Sequence, residues 1–337
     1  MLTLGIESSC DETAAAVLKD GEILLSNVIN SQILTHEIYG GVVPELASRK
    51  HVENIYAVVR EALLQAKTDL GEIDLIAATQ GPGLVGCLLV GHCFAKTLSY
   101  VKNIPCIGVD HITGHLLSVF LEAEKPQFPY IALVASGGHS SIFHVTDPTT
   151  FTLLGRTRDD AAGEAFDKVA KLLGLGYPGG PAVSLQAQSG NPAAIDFPRA
   201  MSEKDNFDFS FSGLKTAVAN YVYQQNKKEA GINIADVCAS FQEAAVDALV
   251  EKTINAALHN KINNVVLAGG VASNPRLRER FKDRGKACGM DIFIPSPDYC
   301  TDNAAMIAFA GYQRFLAGKA DTLDTDVYSR SPFLIFP

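Results

Sequence analysis

The stretch Ile131–Val145, IALVASGGHSSIFHV, decides how this chain is read. The apolar run from Ile131 to Ala135 predicts a buried strand. It breaks at Ser136-Gly137-Gly138 and resumes as an alternating strand from Ser141 to Val145. Paired glycines leave backbone amides bare enough for a ligand to lie against them, although they also make ordinary hairpin turns. The same layout stands at the start of the chain. There Leu2–Ile6 is apolar, Glu7-Ser8-Ser9-Cys10-Asp11-Glu12-Thr13 is a polar turn, and Ala14–Leu18 is a second strand. A third strand from Ile23 to Val28 follows the turn at Lys19–Glu22. Strand, polar turn, strand near the start of each half predicts a structural duplication, with one lobe per copy.

The composition fits that reading. A chain of 337 residues that is 47% hydrophobic and 19% charged is long enough for two packed cores. No apolar run approaches the roughly 20 residues of a membrane span. Met1-Leu2-Thr3-Leu4 enters a strand without a basic leader, so no secretory signal is expected. The seven cysteines are scattered and include no CxxC pair, which predicts reduced thiols in a cytoplasm. A net charge of −9 argues against a broad basic face for nucleic acid, while leaving room for a local patch. The densest basic run is Arg276, Arg278, Arg280, Lys282, Arg284 and Lys286.

Several segments carry site-like chemistry. A helix is predicted after Pro44, and His36, Tyr39, Glu45 and Arg49 around it are candidates for a substrate groove. Gly81-Pro82-Gly83 opens another helix with an anion-capable N-terminus. His111 and His115 stand four apart, which puts both imidazoles on one helix face, a spacing used by metal sites. Ile112 occupies the position where a zinc peptidase of the HExxH type needs its glutamate, so that base is missing. Asp159 and Asp160 read as acids at the start of a helix that also carries Asp167. Tyr177-Pro178-Gly179-Gly180-Pro181 reads as a loop that ends it. Ala268–Pro275, AGGVASNP, is a strand leading into a Gly-Gly turn and a helix, a nucleotide-binding layout without the GxGxxG spacing. Thr301 or Asp302 reads as the cap of the last helix.

Taken in register, GIESSCDET, YGGVVPELASR, GPGLVG, HITGHL, SGGHS, DDAAGEAFDK, YPGGP, FSFSGLK, AGGVASN and CTDNAAMIA resemble the TsaD family, once called glycoprotease. The motifs run from Gly5 to Ala308, nearly the whole chain. The resemblance implies an α/β, two-lobed, duplicated actin-like ATPase fold of the sugar kinase and actin superfamily. It places one lobe at 1–110, completed by 302–337, and the other at 111–301. It implies a cytoplasmic acyltransferase without membrane segments. That enzyme moves threonylcarbamoyl from threonylcarbamoyl-AMP to N6 of adenine 37 in tRNAs reading ANN codons.

The resemblance also assigns residues. The family's metal ligands fall on His111, His115 and Asp302, for one divalent metal, Fe(II) favoured and Zn(II) possible. Substrate contacts fall on Val134, Ala135, Ser136, Gly137, Gly138, Asp167, Gly180 and Asn274. Asp11 and Glu12 are candidate bases for the amine proton. A TsaB-like paralogous subunit and a TsaE-like ATPase are the implied protein partners, beside tRNA. Asp110, Thr113 and Ser184 depart from the residues common in the family at those positions. Competing readings are an ATP-dependent kinase or ATPase of the same superfamily, a metallopeptidase, and a non-catalytic nucleic-acid scaffold.

Overall fold

A computed structural model of the chain describes residues 1–201, 203, 205–228 and 231–334. The polar turns found in the sequence do separate paired strands. β1 (Leu2–Glu7) pairs antiparallel with β2 (Glu12–Lys19), and β2 with β3 (Ile23–Ser31). After the short α1 (Ile33–Glu37) comes α2 (Pro44–Gln65). It starts with Pro44 and Glu45 and buries Ile55, Val58, Val59 and Ala62 along one stripe. β4 (Leu75–Gly81) then pairs parallel with β1. The crossover helix α3 (Val85–Lys102) leads to β5 (Cys106–Asp110), parallel to β4, and α4 (His111–Leu117) follows directly. The strand order is β3-β2-β1-β4-β5.

The second half repeats the scheme. β6 (Tyr130–Ala135) pairs antiparallel with β7 (Ser140–Asp147), with β8 (Thr150–Arg156) outside it. Then come α5 (Ala162–Leu173), α6 (Gly179–Ala187), α7 (Ser212–Lys227) and the long α8 (Ile234–Asn260). β9 (Asn264–Ala268) is parallel to β6; α9 (Pro275–Cys288), β10 (Asp291–Phe293), α10 (Pro297–Cys300) and α11 (Ala304–Leu316) follow. This sheet runs β10-β9-β6-β7-β8, so β6 to β10 occupy the places that β1, β2, β3, β4 and β5 hold in the first sheet. The duplication read from two short stretches extends to whole sheets.

Two compact units result. One contains Met1–Lys125, Asp147–Phe151 and the chain from Thr301 on; the other contains Pro126–Thr146 and Thr152–Cys300. The segment after 110 therefore packs in the first unit, whereas the sequence reading gave it to the second lobe. All seven residues of α4 are buried, and α11 together with β5 covers them.

Alternation along β1 explains how the first unit is layered. Leu4 and Ile6 join Ile55, Val58 and Val59 of α2 in one apolar cluster. Gly5 points the other way, toward α11. A β-carbon on Gly5 would lie 2.2 Å from Ala304 O, so only glycine lets this helix sit so close to the sheet. Glu7 continues the face of Gly5, which directs a carboxylate to the α4–α11 side.

Three local readings need correction. Gly179-Gly180-Pro181 do not form a loop; they open α6. Asp159 does not cap α5; it accepts from the backbone N–H groups of Phe211 and Ser212 and so caps α7. The cap of α11 is Asn303, whose Oδ1 accepts from Met306 N, and this leaves Asp302 for other work.

Candidate functional site

His111, His115 and Asp302 come together within the first unit. One ligand atom from each lies within 4.8 Å of the others. The Nε2 atoms of His111 and His115 stand 3.4 and 3.2 Å from the same oxygen, Asp302 Oδ1. The two rings meet edge to face at 4.7 Å between centroids. Local structure sets this up: the histidines are one turn apart on α4, and Asp302 precedes α11, which Gly5 seats against the same sheet.

Glu7 completes the arrangement, and the sequence reading missed it. Its Oε2 lies 3.0 Å from His111 Nδ1 and also accepts from Thr79 Oγ1 at 2.7 Å. Its Oε1 accepts from Ser9 N. The signal available in the sequence was a carboxylate at the end of an apolar strand, where a buried acid demands partners. Burial alone would raise the Glu7 carboxyl, but the charge of His111 and these hydrogen bonds hold it below its ordinary value.

The electrostatics of the cluster call for a cation. With Glu7 taking the proton on Nδ1, His111 Nε2 turns a lone pair toward the Asp302 carboxylate. Only a further proton or a metal ion makes that contact favourable. As a bare cluster, burial opposes charging His111, yet Asp302 and Glu7 hold its pKa well above the usual histidine range. Asp302 sits well below its ordinary value because His111 outweighs burial. Burial keeps His115 low, in the neutral form that ligates metals. Two imidazoles, one carboxylate and a carboxylate behind the first histidine are the donor types of a divalent-metal site with open positions, where a metal would take the place of the second proton on His111. The residues fit the group.

Asp11 and Glu12 lie in the same unit, at the start of β2. Glu12 Oε1 accepts from Ser31 Oγ at 3.0 Å. Burial, with the charges of Asp11 and Asp302, pushes the Glu12 carboxyl well up. Of the residues suggested for a groove, Tyr39 is exposed. His36 is buried against Gln32 and Val43 N, and Glu45 and Arg49 pair with each other at the surface.

The second unit holds a cavity of about 570 Å³, within the range of ligand pockets. Phe166, Pro178, Pro181, Leu185 and Val271 give it apolar walls, and Asp167, Ser184, Gln188, Ser273 and Asn274 give polar ones. Gly137, Asp167, Gly180 and Asn274 are thus brought together along one cavity. Val134, Ala135, Ser136 and Gly138 are not part of the lining, and the side chains of Val134 and Ala135 are fully buried in β6. Neither Gly137 nor Gly138 adopts a positive φ, and a β-carbon on either would meet nothing within 4 Å. The glycine that needs its freedom is Gly269. Its φ is +88°, and a β-carbon there would lie 2.3 Å from Ala135 O. Asp167 Oδ1 accepts from Gly179 N at 2.7 Å, which ties α5 to the start of α6 along the cavity wall. Asn274 caps α9 through Leu277 N and donates to Gln242 Oε1.

The arginines of the basic run on α9 are consumed internally. Arg276, Arg280 and Arg284 pair with Glu243, Asp247 and Glu251 of α8, each series stepping by four residues along its helix. Arg278 donates to the carbonyls of Ala272 and Pro295. Of the basic residues in that run, Lys282 and Lys286 are exposed.

Comparison with known proteins agrees with this architecture. A family profile described as "TsaD: tRNA N6-adenosine threonylcarbamoyltransferase" matches residues 23–309. The protein of that name from Desulfotalea psychrophila is 58% identical over 334 residues, covering 98% of this chain and 97% of the relative. The one from Syntrophus aciditrophicus is 53% identical over 332 residues, covering 98% of each. Among solved structures, component A of the (R)-2-hydroxyglutaryl-CoA dehydratase of Acidaminococcus fermentans superposes with a TM-score of 0.56 at 18% identity, covering 95% of this chain and 100% of its own. Full-length HypF gives 0.64 at 15% identity, over 94% of this chain and 47% of its own. At such identities these two likenesses speak for the fold, which is the actin-like ATPase fold. A family match over most of the chain and majority identity over nearly all of it show that the chain belongs to the TsaD family.

Proposed function

We propose that the chain transfers threonylcarbamoyl from threonylcarbamoyl-AMP to N6 of adenine 37 in tRNAs reading ANN codons, with His111, His115 and Asp302 holding a divalent metal. The observation that carries the reading is the convergence of three ligand atoms backed by Glu7, in a chain of this family. Neither a kinase of the same fold nor an HExxH peptidase accounts for that donor set. Iron(II), or zinc in its place, would supply Lewis-acid stabilisation of the negative charge that develops as the anhydride is opened.

The remaining work falls to the chain itself. The cavity bounded by Gly137, Asp167, Gly180 and Asn274 takes the nucleoside of the adenylate, with Phe166 and Val271 as apolar walls for a flat base. The adenine amine attacks the carbamoyl carbon, the carbon–oxygen bond to phosphate breaks, and AMP leaves. The amine proton passes to a carboxylate, for which Glu12, with its raised proton affinity, and Asp11 beside it are the candidates.

Partner proteins belong to the same reading. Phosphate neutralisation dominates tRNA affinity, and the arginines of α9 are already paired. A TsaB-like paralogous subunit and a TsaE-like ATPase would supply what the chain lacks. Exposed Val52 and Tyr56 on α2, with Val85 and Leu89 on α3, offer an apolar face for such docking. No helix among the described residues is long and apolar enough to cross a membrane, in keeping with work in the cytoplasm. The test is synthesis of N6-threonylcarbamoyladenosine from synthetic threonylcarbamoyl-AMP and unmodified tRNA. Product should be slow with the chain alone and fast with partners; none under either condition would reject the reading.

A further inference from the structure

The residue before the first histidine is held by the far end of the chain. Asp110 is buried, and both of its carboxylate oxygens are committed. Oδ1 accepts from Ile112 N at 2.9 Å and Thr113 N at 3.3 Å, capping α4. Oδ2 accepts from Tyr328 Oη at 2.8 Å and Ser331 Oγ at 2.7 Å. Ser331 is completely buried, although its neighbours on both sides are exposed.

Those two side chains belong to a strap without helix or strand that runs from about Asp321 to Ser331. It is pinned along its length to β4, α3 and β5. Gly108 N donates to Asp321 Oδ2, Lys96 Nζ donates to Thr325 O, and Gln80 Nε2 donates to Asp326 O. Tyr328 N in turn donates to Gln80 O at 3.0 Å. Tyr328 also packs on Gly81, where a β-carbon would lie 2.1 Å from Tyr328 O, so the strap carries its two hydroxyls up to Asp110.

We propose that Tyr328 and Ser331 are positioning residues for the metal centre. By satisfying Oδ2 they keep the Asp110 carboxylate turned so that Oδ1 caps α4, and the first turn of α4 sets where His111 presents Nε2. Without them a buried carboxylate loses half its donors and rotates or drags in water, and the cap loosens with it. His111 then keeps its Glu7 partner but loses the fixed backbone that aims the ring at Asp302. This inference rests on the reading of His111, His115 and Asp302 as a metal site.

The test uses the full chain, stripped of metal and titrated with Co²⁺ as a spectroscopic probe. Four proteins are compared: wild type, the double variant Tyr328→Phe with Ser331→Ala, Tyr328→Phe alone, and His115→Ala. The double variant should bind Co²⁺ about ten-fold more weakly, with an altered ligand-field spectrum, in line with the usual cost of removing support behind metal ligands. Transfer activity should return when metal is supplied in excess, with KM for threonylcarbamoyl-AMP unchanged. Tyr328→Phe alone keeps the ring and removes one donor, and should lose about three-fold in affinity; it serves if the double variant does not fold. Equal affinity and an identical spectrum in wild type and both strap variants would overturn the proposal while leaving the metal site standing. A wild type that binds Co²⁺ no better than His115→Ala would bring down the metal reading and the strap's role together.

Discussion

Glu7 Oε2 and His111 Nδ1 lie 3.0 Å apart, both buried, joining the end of the first strand to the first metal-ligand candidate more than a hundred residues later. The contact fixes the imidazole tautomer. A carboxylate can only accept here, so the proton sits on Nδ1 and the Nε2 lone pair faces Asp302. Glu7→Gln preserves volume but, whichever way its amide is turned, sets an N–H against His111 Nδ1–H or against Ser9 N–H, both of them donors. Metal affinity should fall by about 10- to 100-fold, the usual cost of such a change. Calorimetric titration of the stripped protein with Fe²⁺ or Zn²⁺ checks it; unchanged affinity would remove Glu7 from the centre.

A second expectation concerns the cavity. Gly137 lines it, has no positive φ, and has open space where a side chain would go. Gly137→Val therefore sends its methyl groups toward the ligand without straining the backbone. AMP affinity should drop at least ten-fold while the melting temperature moves by no more than about 2 °C. Wild-type AMP binding by the variant would show that the nucleoside lies elsewhere.

The paired arginines of α9 yield a prediction of the opposite kind. Exposed or half-exposed ion pairs each contribute about 0.2–1 kcal/mol. Replacing Arg276, Arg280 and Arg284 together by Ala should cost on the order of 1–3 kcal/mol in urea unfolding. The salt dependence of tRNA binding should not change, because these guanidiniums already hold Glu243, Asp247 and Glu251. A shallower salt slope in the variant would return the arginines to the tRNA.

His51 gives a pH dependence with a defined sign. Its Nε2 lies 2.9 Å from Cys10 O, which can only accept, so Nδ1 is left to accept from Thr13 Oγ1 at 2.8 Å. Burial holds the pKa below its ordinary value, so the unfolded chain takes up the proton first. The contribution of His51 is therefore intact above the unfolded value of about 6.5 and is lost as pH falls below it. Wild type should lose more stability between about pH 6.5 and 5 than His51→Gln does, in metal-free protein. Parallel stability–pH curves for the two would contradict the assignment.

Much of this was legible before any coordinates, and what escaped has a common cause. The spacing of His111 and His115 is a property of one helix, and the strand–turn–strand units are properties of short segments, so local pattern reveals them. Asp302 read as a helix cap because an acid before a helix usually is one; the structure gives that task to its neighbour Asn303. Glu7, the α8 partners of the arginines, and the hold of Tyr328 and Ser331 on Asp110 were invisible. Each is a pairing across a long sequence separation that depends on which face of an element turns inward. The lobe boundary failed for the same reason, since α4 is claimed by a helix that follows it by almost two hundred residues.

Threonylcarbamoyl transfer should depend on a metal at His111, His115 and Asp302. The most direct measurement is metal content and single-turnover transfer for wild type and His115→Ala, with threonylcarbamoyl-AMP, unmodified tRNA and both partner proteins present. Wild type should carry near-stoichiometric metal and give product rapidly. The variant should lose the metal and slow by at least about 100-fold, with AMP affinity unchanged. A metal-free His115→Ala protein that transfers at the wild-type rate would contradict it.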